Sequence, residues 1–513
     1  MKLISPYISL SDSVRIRKEY FGGIIFNTST GTVIEVSRKA YTLISIIQAN
    51  GVTDVNDLNQ IWFNLFAKHL HPKTVSKNIK KLIELNVLVV MPQGILHQTD
   101  KDGLFQKEQF NTWPAQNHLS APETLHWAVT YNCDAKCPDC YIERHKHTIS
   151  SELNTKQILQ VLDMIAAAGV FQLAIGGGEP FLRKDLATIA AGANERKLVV
   201  HITTGRYEHE ISIIRELARS IKSIQVGIKN GELIKQPVTE KEKLTTLVNL
   251  LNSEGIDVGA NLIISLSTIK NFDKIIKLLS EAGFQRITLL RYKPPGNLKR
   301  WMQEKPDQDA LQLFEVILTG IVAKYPHIQF RVDCGLTFLQ RKLPSHQALQ
   351  SGIRGCVAAD RLLSVAPDGT VYPCSQLVGE QFLAGSLLED DFSNIWDSKV
   401  INKYRGFRTT KTFKTGHCGY CQAKSHCGGC RVFAEDALGT DPGCPDPILP
   451  PSKRPKFSYD RNQTIMDIQE SIGFTSGGYP FATFEEIKGW LEEESYYDYP
   501  LWLLNNNRRR DLV

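Results

Sequence analysis

The placement of the cysteines constrains this chain more than any other feature of its sequence. Its 513 residues contain 11 cysteines. None precedes Cys133, three fall within residues 133–140, and eight lie between Cys334 and Cys444. An odd number of clustered cysteines in a long chain argues against a disulfide framework and indicates metal binding or redox chemistry. The fold must therefore gather thiols at particular places instead of cross-linking loops.

The composition is typical of a globular protein with two to four domains. Hydrophobic residues make up 42% of the chain and charged residues 22%, and the net charge of +6 is a weak argument for a nucleic-acid partner. No apolar run approaches the roughly 18 residues of a membrane span. The first segment, MKLISPYISLSDSVRIRK, turns polar too early for a secretory signal. We therefore expect a cytoplasmic protein with no membrane partner.

Residues 124–325 alternate between strand-like and helix-like patterns. The strand-like segments are LHWAVTY, FQLAIGG, LVVHITT, SIQVGI, DVGANLIISL and RITLLRYKP, and helical patterns such as NTKQILQVLDMIAAAG separate them. This alternation implies parallel strands joined by right-handed crossovers. About six units are too few for a closed eight-stranded barrel. We expect an α/β fold with a partial (β/α)6 barrel, followed by a cysteine-rich domain over residues 326–450.

Residues 1–95 predict a separate small domain. The segment VRIRKEYFGGIIFNTSTGTVIEVS contains short β-rich runs broken by turn residues. Helical patterns follow around residues 38–49, 54–67 and 72–86. A three-stranded sheet with three helices, winged-helix-like in arrangement, is the expected assembly. The polar residues 96–123 predict a linker, and residues 451–513 an extension with one helix, indicated by a capping box of Thr483 and Glu486.

Cys133, Cys137 and Cys140 directly follow the first predicted barrel strand. They lie on the carboxyl-end loop where α/β barrels place their active sites. Three thiolates leave one iron of a 4Fe–4S cluster without a protein ligand, and such an open coordination position is where chemistry can occur. The alternative is a structural zinc ion, for which His145 or His147 could supply a fourth ligand.

These three cysteines, followed by Tyr141, resemble the signature of radical S-adenosylmethionine (radical SAM) enzymes. The segment GGGEP, residues 176–180, ends the second strand and resembles that family's GGEP motif. The resemblance implies that Glu179, with Gly177 and Gly178, binds the amino group of SAM. It also implies that SAM chelates the open iron. One electron from the cluster then yields methionine and a 5′-deoxyadenosyl radical, which can abstract hydrogen from an unactivated carbon.

The chain departs from the pattern of that family in three places. The residue before the last cysteine, usually aromatic and packed near the adenine, is Asp139, and we expect Tyr141 to take over part of that packing. The third strand ends in Thr-Thr-Gly where Asn-Gly is common, and residues 225–231 lack the Ser and Asp often found at the fourth strand. The further candidates for SAM contacts are Thr204, Asn261 and Arg291.

The later cysteines are equally patterned. They run Cys356, Cys374, Cys418-x2-Cys421-x5-Cys427-x2-Cys430 and Cys444. This order resembles the SPASM domain, which holds two auxiliary 4Fe–4S clusters, although one gap has two residues where three are usual. The resemblance implies a first auxiliary cluster on Cys356, Cys374 and Cys430, and a second on Cys418, Cys421, Cys427 and Cys444. Three 4Fe–4S clusters and SAM are thus the expected cofactors.

Two alternatives concern this second cysteine region. Cys334 could complete the first auxiliary cluster, or it could be a small buried hydrophobic residue. The segment Cys418–Cys430 could form a zinc ribbon, which would leave Cys356, Cys374 and Cys444 unexplained.

The predicted N-terminal domain resembles the recognition element of ribosomal peptide (RiPP) pathways, also seen in the pyrroloquinoline quinone peptide chaperone. Such domains bind the leader of a precursor peptide as an extra β-strand on a sheet edge. Together the resemblances imply a radical SAM/SPASM maturase of a ribosomally made peptide. Oxidative thioether or carbon–carbon crosslinking is the leading reaction, since auxiliary clusters can accept an electron from a substrate radical. Epimerisation, backbone residue excision and sulfatase-type protein maturation are alternatives.

The expected partners are the precursor peptide, bound through its leader, and an electron donor such as flavodoxin or ferredoxin. Asp333, Asp360 and Asp368 are unranked candidates for a general base, so no catalytic residue is assigned. A hypothesis of a different class is a non-enzymatic iron–sulfur or zinc scaffold with a DNA-binding winged helix. The segment KHLHPKTVSKNIKK is somewhat basic but is not a dense basic recognition helix, and we expect no nucleic-acid partner.

Overall fold

The computed structural model describes residues 7–92, 112–145, 151–294 and 297–448, and the chain divides into two compact units. The described part of the first unit is residues 7–92, 112–120 and 350–352, and that of the second is residues 121–145, 151–294, 297–349 and 353–448. Most of the predicted linker, the predicted C-terminal extension with its capping box, and His147 lie outside the described residues.

The first unit contains two small antiparallel sheets and three helices. The strands are β1 (Tyr7–Leu10), β2 (Val14–Glu19), β3 (Gly22–Asn27), β4 (Thr32–Ser37), β5 (Thr53–Asp54) and β6 (Leu88–Val90), and the helices are α1 (Arg38–Asn50), α2 (Val55–Phe66) and α3 (Pro72–Glu84). One sheet has the order β2-β3-β4, and in the other β1 pairs with both β5 and β6. The predicted three-stranded sheet and three helices are confirmed. The second sheet was not predicted.

Local side-chain bonds define the turns of this unit. The Asn27 side-chain oxygen accepts from the backbone N–H groups of Ser29 and Thr30 at 3.0 and 3.1 Å, which shapes the turn between β3 and β4. The Ser37 hydroxyl caps α1 by accepting from the Ala40 N–H at 3.4 Å. The helices and sheets then bury a common apolar core that includes Ile25, Ile34, Ile44, Ile47, Leu58 and Ile79.

The second unit is built on one sheet of ten strands. They are β7 (Thr124–Thr130), β8 (Gln172–Gly177), β9 (Val199–Thr204), β10 (Ile221–Gly227), β11 (Asp257–Ile264), β12 (Arg286–Arg291), β13 (Gln329–Val332), β14 (Leu362–Val365), β15 (Thr370–Tyr372) and β16 (Gly385–Ser386). Their order is β13-β12-β11-β10-β9-β8-β7-β14-β15-β16. All neighbours from β13 to β14 are parallel, and the last two pairings are antiparallel. The partial α/β barrel predicted from six strands is confirmed.

Helices alternate with the barrel strands as predicted. They are α4 (Thr155–Ala167), α5 (Leu186–Glu195), α6 (Ile211–Ala218), α7 (Asn230–Lys235), α8 (Pro237–Ser253), α9 (Leu266–Lys270), α10 (Phe272–Glu281), α11 (Leu298–Glu304) and α12 (Gln308–Lys324). Helix α4 begins at Thr155 because Asn154 and Gln157 form a reciprocal capping box, with both bonds at 3.0 Å. The buried face of α4 follows at helical spacing with Ile158, Val161, Leu162 and Ile165.

The cysteine-rich segment continues the barrel sheet. Besides β14–β16 it contains the short helices α13 (Ser345–Gln350), α14 (Phe392–Trp396), α15 (Lys399–Arg405), α16 (Lys411–Thr415) and α17 (His417–Tyr420). Strand β14 pairs directly with the first barrel strand, β7. The Arg361 carbonyl fixes this junction by accepting from the N–H groups of Glu123 and Thr124 at 2.8 and 3.2 Å. The Arg361 guanidinium and the Glu123 carboxylate also form a buried ion pair.

Among the residues that the structure describes, no helix is both long and apolar enough to cross a bilayer.

Candidate active site

The loop that follows β7 carries the first three thiols. Cys133 and Cys140 are half-buried, and Cys137 is exposed at the residue level. Burial of the Cys137 sulfur raises the pKa of its thiol to about 11, and the neighbouring thiols of Cys140 and Cys133 add to that rise. Thiols that repel each other's charge in this way need bound cations to become thiolates together. The grouping is therefore that of a metal-binding loop.

The base of this loop is held by two side chains that the sequence analysis missed. The Glu152 carboxylate accepts from the Thr130 hydroxyl at 2.8 Å and from the Tyr131 N–H at 2.9 Å. Arg183 donates to the carbonyl of Val129 at 2.9 Å and also binds the carboxylate of Asp185. Both residues lie in connections away from the cysteines in sequence, so no local pattern indicates their role.

The glycines of the GGGEP segment let β8 approach this loop closely. Gly177 has φ 117°, and a Cβ there would lie 2.2 Å from the Thr130 carbonyl oxygen. A Cβ on Gly178 would lie 2.1 Å from the Asn132 carbonyl oxygen, while a Cβ on Gly176 would meet nothing within 4 Å. Two of the three glycines are thus required by the backbone just before Cys133.

Substituting Gly178 by Ala should displace the cysteine loop, because the new methyl group overlaps the Asn132 carbonyl and a rigid backbone cannot yield cheaply. We expect reductive cleavage of SAM to fall by about 100-fold, the typical cost of a 1 Å misplacement. The matched control is Gly176→Ala, which adds the same methyl group into open space. Equal rates for the two variants would contradict this account of the motif.

Glu179 forms the floor of a small polar pocket between β8 and β9. Its carboxylate accepts from the Thr204 hydroxyl at 3.0 Å, from the Gly205 N–H at 3.0 Å and from the Phe181 N–H at 3.1 Å. Burial raises the pKa of Glu179, and these donors oppose the rise. The Thr204 hydroxyl lies 3.0 Å from both carboxylate oxygens, so each oxygen has two donor contacts. An ammonium group at this carboxylate would replace one of the two contacts with the Thr204 hydroxyl.

Two other candidates for SAM contacts lie in different surroundings. Asn261 is buried on β11, and its side-chain oxygen has no hydrogen-bond partner among the described residues. Such an orphaned buried acceptor is what a ligand donor would satisfy. The Tyr141 ring packs with Tyr131 and Tyr372, and its hydroxyl bonds to Ser375. Burial raises the pKa of Tyr141 to about 12.

Arg291, the remaining candidate, makes its recorded contacts within the cysteine-rich half of the molecule. Its guanidinium binds both carboxylate oxygens of Asp441, at 2.5 and 3.0 Å, and lies 3.6 Å from the centre of the Phe433 ring. It also donates to the Gly335 carbonyl at 3.2 Å. Asp441 in turn accepts from the Cys430 N–H at 2.9 Å. Arg291 therefore organises the backbone around a cysteine, and three of its five N–H donors are engaged there.

Cys334, Cys356, Cys374 and Cys430 come together in a second group of thiols. Cys334 hydrogen-bonds to both Cys356 and Cys430, and Cys374 lies within electrostatic range of Cys356 and Cys430. The bond from Cys334 lowers the pKa of Cys356 to about 6 and also lowers that of Cys430, while burial raises the pKa of Cys374 to about 11. Cys334 thus lies among the thiols predicted for the first auxiliary cluster.

Cys418, Cys421, Cys427 and Cys444 form a third group. Burial raises the pKa of Cys427 to about 12, and Cys418 and Cys421 raise it further. Burial also raises the pKa of Cys444, with contributions from Cys427 and Cys421. These four thiols thus lie within electrostatic range of one another.

Two cations accompany the Cys334 group, and neither was predicted. Lys293 is paired with Asp333 at 2.8 Å and lies within electrostatic range of Cys334, Cys374 and Cys430. Arg431 is 1% exposed, donates to the carbonyls of Gly439 and Gly428, and its charge lowers the pKa of Cys356. The Arg431 Nε has no hydrogen-bond partner within the described ranges. Positive charge and a spare donor suit a group of thiolates.

The candidate general bases are engaged in local structure. Asp333 binds Lys293 and caps the 3₁₀ helix Cys334–Gln340, and Asp368 accepts from the Thr370 N–H and hydroxyl. Asp360 lies 3.9 Å from Arg361. Their contacts do not single out one of them as a base.

Across the described ranges, no three His, Cys, Asp or Glu side chains converge closely enough to hold a single metal ion. A zinc site needs its ligands within about 2.3 Å of one atom, whereas the thiols of a 4Fe–4S cluster bind different irons. His145, considered above as a zinc ligand, is buried, with its ring 6.4 Å from that of Tyr141.

Comparisons with known families agree with this geometry. Residues 127–296 match the model of the Radical SAM superfamily, and residues 356–430 match the iron-sulfur cluster-binding domain SPASM. The mycofactocin maturase MftC of Mycobacterium tuberculosis is 27% identical over 68% of this chain and 90% of its own length. The PqqA peptide cyclase of Granulibacter bethesdensis is 26% identical over 64% of this chain and 88% of its own length. An AdoMet-dependent heme synthase of Methanosarcina barkeri is 25% identical over 62% of this chain and 94% of its own length.

The fold is also similar to that of solved structures. Streptococcus suis SuiB bound to S-adenosylmethionine matches with a TM-score of 0.60 and 18% identity, over 83% of this chain and 96% of SuiB. SuiB bound to its precursor peptide SuiA matches with a TM-score of 0.61 and 19% identity, over the same shares. At such identities these structures support the fold alone.

Proposed function

Since this chain is an enzyme built from a radical SAM domain and a SPASM domain, we propose that it modifies a ribosomally synthesised precursor peptide by oxidative crosslinking. The observation that carries the proposal is the sorting of 11 cysteines into one group of three and two groups of four, with the Glu179 pocket beside the first. The relative named PqqA peptide cyclase and the structure of SuiB bound to its precursor peptide support a peptide substrate, and the relative named mycofactocin maturase agrees with a role in maturation.

The cysteine groups are the proposed ligands of three 4Fe–4S clusters. Cys133, Cys137 and Cys140 hold the first, and the groups that contain Cys334 and Cys444 hold one auxiliary cluster each. When bound, the first cluster supplies the electron that cleaves SAM. Glu179 would receive the ammonium of SAM in place of one of its two contacts with the Thr204 hydroxyl, while the N–H groups of Phe181 and Gly205 hold the Glu179 carboxylate in place. The side-chain oxygen of Asn261 is available to a further donor on SAM.

An oxidation is the favoured reaction because the chain carries a place for the released electron. The group around Cys334 is buried, and the cations Lys293 and Arg431 lie near it. Positive charge and hydrogen bonds near the sulfurs stabilise the reduced state of an iron–sulfur cluster. Formation of a thioether or carbon–carbon bond removes two hydrogens from the peptide, so such an acceptor is needed. Epimerisation and residue excision remain alternatives in the same class.

The N-terminal unit is the proposed site for the leader of the peptide. The sheet β2-β3-β4 ends in β2 and β4, and a strand edge can pair with an extended peptide. Helix α3 carries Lys77, Lys80 and Lys81, which is a modest positive charge for a DNA-reading helix. Peptide binding therefore suits this unit better than duplex DNA. A cytoplasmic location and an electron donor such as flavodoxin or ferredoxin belong to the same proposal.

The test is anaerobic co-expression of the full chain with short open reading frames that lie beside its gene, followed by mass analysis of each peptide. A loss of two hydrogens, located by fragmentation, supports oxidative crosslinking. An unchanged mass with altered stereochemistry points to epimerisation, and loss of a residue mass to excision. Co-expression of Cys137→Ala with the same peptide is the control. If no peptide binds or changes, the peptide assignment is wrong.

A further inference from the structure

Asp139 precedes the third cysteine of the first group, at a position that is usually aromatic in radical SAM enzymes, and it contacts residues that follow the sixth barrel strand. Its Oδ1 accepts from the Tyr292 hydroxyl at 2.6 Å and from the Arg300 Nε at 2.7 Å. Its Oδ2 accepts from a second Arg300 nitrogen at 3.4 Å. Three donor contacts thus converge on one carboxylate, which is 27% exposed.

Both donors come from the segment that follows the sixth barrel strand. Tyr292 directly follows β12 and is buried, and Arg300 lies on α11. The Trp301 indole donates to the Tyr292 carbonyl at 3.4 Å, so the two parts of the segment are also tied to each other. Burial and the bond to Asp139 raise the pKa of Tyr292, which keeps its hydroxyl a donor.

The position of this contact within the sheet is unusual. Strands β8, β9, β10 and β11 separate β7 from β12, and no backbone pairing joins β7 to β12. The three side chains therefore connect the loops after the first and sixth strands across the carboxyl-end mouth of an open sheet. Helix α11 also contacts the first turn of α9, because the Glu304 carboxylate accepts from the Ser267 N–H at 3.0 Å. In a closed barrel, sheet hydrogen bonds make such connections.

We propose that Asp139, Tyr292 and Arg300 form a clamp that positions the cysteine loop, and with it Cys140, against the mouth of the barrel. Other contacts hold the rest of the loop: Glu152 and Arg183 at its base, an ion pair of Asp134 with Arg206, and the Tyr141 hydroxyl bonded to Ser375. Without the clamp, the residue before Cys140 loses its tie to β12 and α11. The three are positioning residues, since they act through the loop. The inference rests on the radical SAM part of the proposed function and is independent of the peptide.

The test uses the anaerobically purified full chain with a chemical reductant and no peptide, so that an unidentified substrate cannot affect the outcome. Asp139→Asn, Arg300→Gln and the double variant are compared for the rate of SAM cleavage. The electron paramagnetic resonance spectrum of the reduced cluster is recorded with and without SAM. We expect each single variant to be at least about 10-fold slower and to lose part of the spectral change caused by SAM. The double variant should be no slower than the worse single variant, within about 2-fold, because the two residues act as one unit.

The matched control is Asp273→Asn, which removes the charge of an exposed ion pair with Lys324 at 2.7 Å on the outer helices α10 and α12. It should cleave SAM at the wild-type rate. Single variants that match the wild type, or losses that multiply in the double variant, would overturn the proposal. If Asp139→Asn lowers cluster content, Tyr292→Phe removes one hydroxyl alone. A rate and spectrum identical to wild type in that variant would also count against the clamp.

Discussion

Replacing Cys137 by Ala is expected to abolish reductive cleavage of SAM, with a loss of at least about 1,000-fold, or ~4 kcal/mol in the activation barrier. Cys137 is the middle thiol of the three-cysteine loop and is exposed. Its removal should therefore cost cluster binding and not the fold. The measurement is 5′-deoxyadenosine formed under anaerobic reducing conditions, together with iron content. Iron should fall from about twelve to about eight atoms per chain, at four per cluster.

Cys444→Ala is the contrasting variant, because it removes one thiol from the group of Cys418, Cys421 and Cys427. It should also lose about four irons, yet it should still cleave SAM. If Cys137→Ala still cleaved SAM, the iron that lacks a protein ligand would have to belong to another group of cysteines. Loss of cleavage in both variants alike would mean that the groups do not act separately.

Replacing Arg291 by Met should destabilise the second unit by about 3–5 kcal/mol, because it leaves the Asp441 carboxylate buried without its partner. Arg291 and Asp441 are 7% and 1% exposed. The variant also loses the contact with the Phe433 ring. The midpoint of thermal unfolding of the anaerobic, cluster-loaded protein should fall on the order of 10 °C.

The control for this prediction is Arg196→Met, which removes one side of an ion pair whose Asp163 is 67% exposed. Exposed pairs contribute at most about 1 kcal/mol, so its midpoint should hardly move. If Arg291→Met unfolded at the wild-type temperature but bound SAM more weakly, Arg291 would be assigned to SAM binding and not to the stability of the second unit.

Local patterns predicted the elements that repeat regularly. The six barrel strands are predicted because β-rich runs alternate with amphipathic helices. The three cysteines of residues 133–140 stand out because their spacing is compact, whereas the grouping of the later cysteines rests on the resemblance to the SPASM domain. Strand β13 was not predicted because only four half-buried residues form it. The pairing of β14 with β7 was not predicted either, because a parallel contact between distant segments leaves no periodic signal in the sequence. The two-residue strand β5 was too short to predict.

The missed parts of the site share one physical origin. Glu152, Arg183, Asp139 and Lys293 act through polar contacts with segments that are separated from them in sequence. From sequence alone, a charged residue is expected on the surface, because its burial and its ion-pair partner depend on the tertiary structure. Arg291 was a candidate for binding SAM because of its position on a barrel strand. Its partner Asp441 lies 150 residues later in the sequence, so the ion pair could not be predicted.

The pairing of β14 with β7 has a consequence for the newborn chain. Strand β7 ends at Thr130, and its neighbour on that edge begins at Leu362. At 5–20 residues per second, a ribosome needs on the order of tens of seconds to make the intervening segment. During that time one edge of the first barrel strand has no neighbour, and an unpaired edge invites pairing with other chains. The speed of translation should therefore affect how much of this enzyme reaches its folded form.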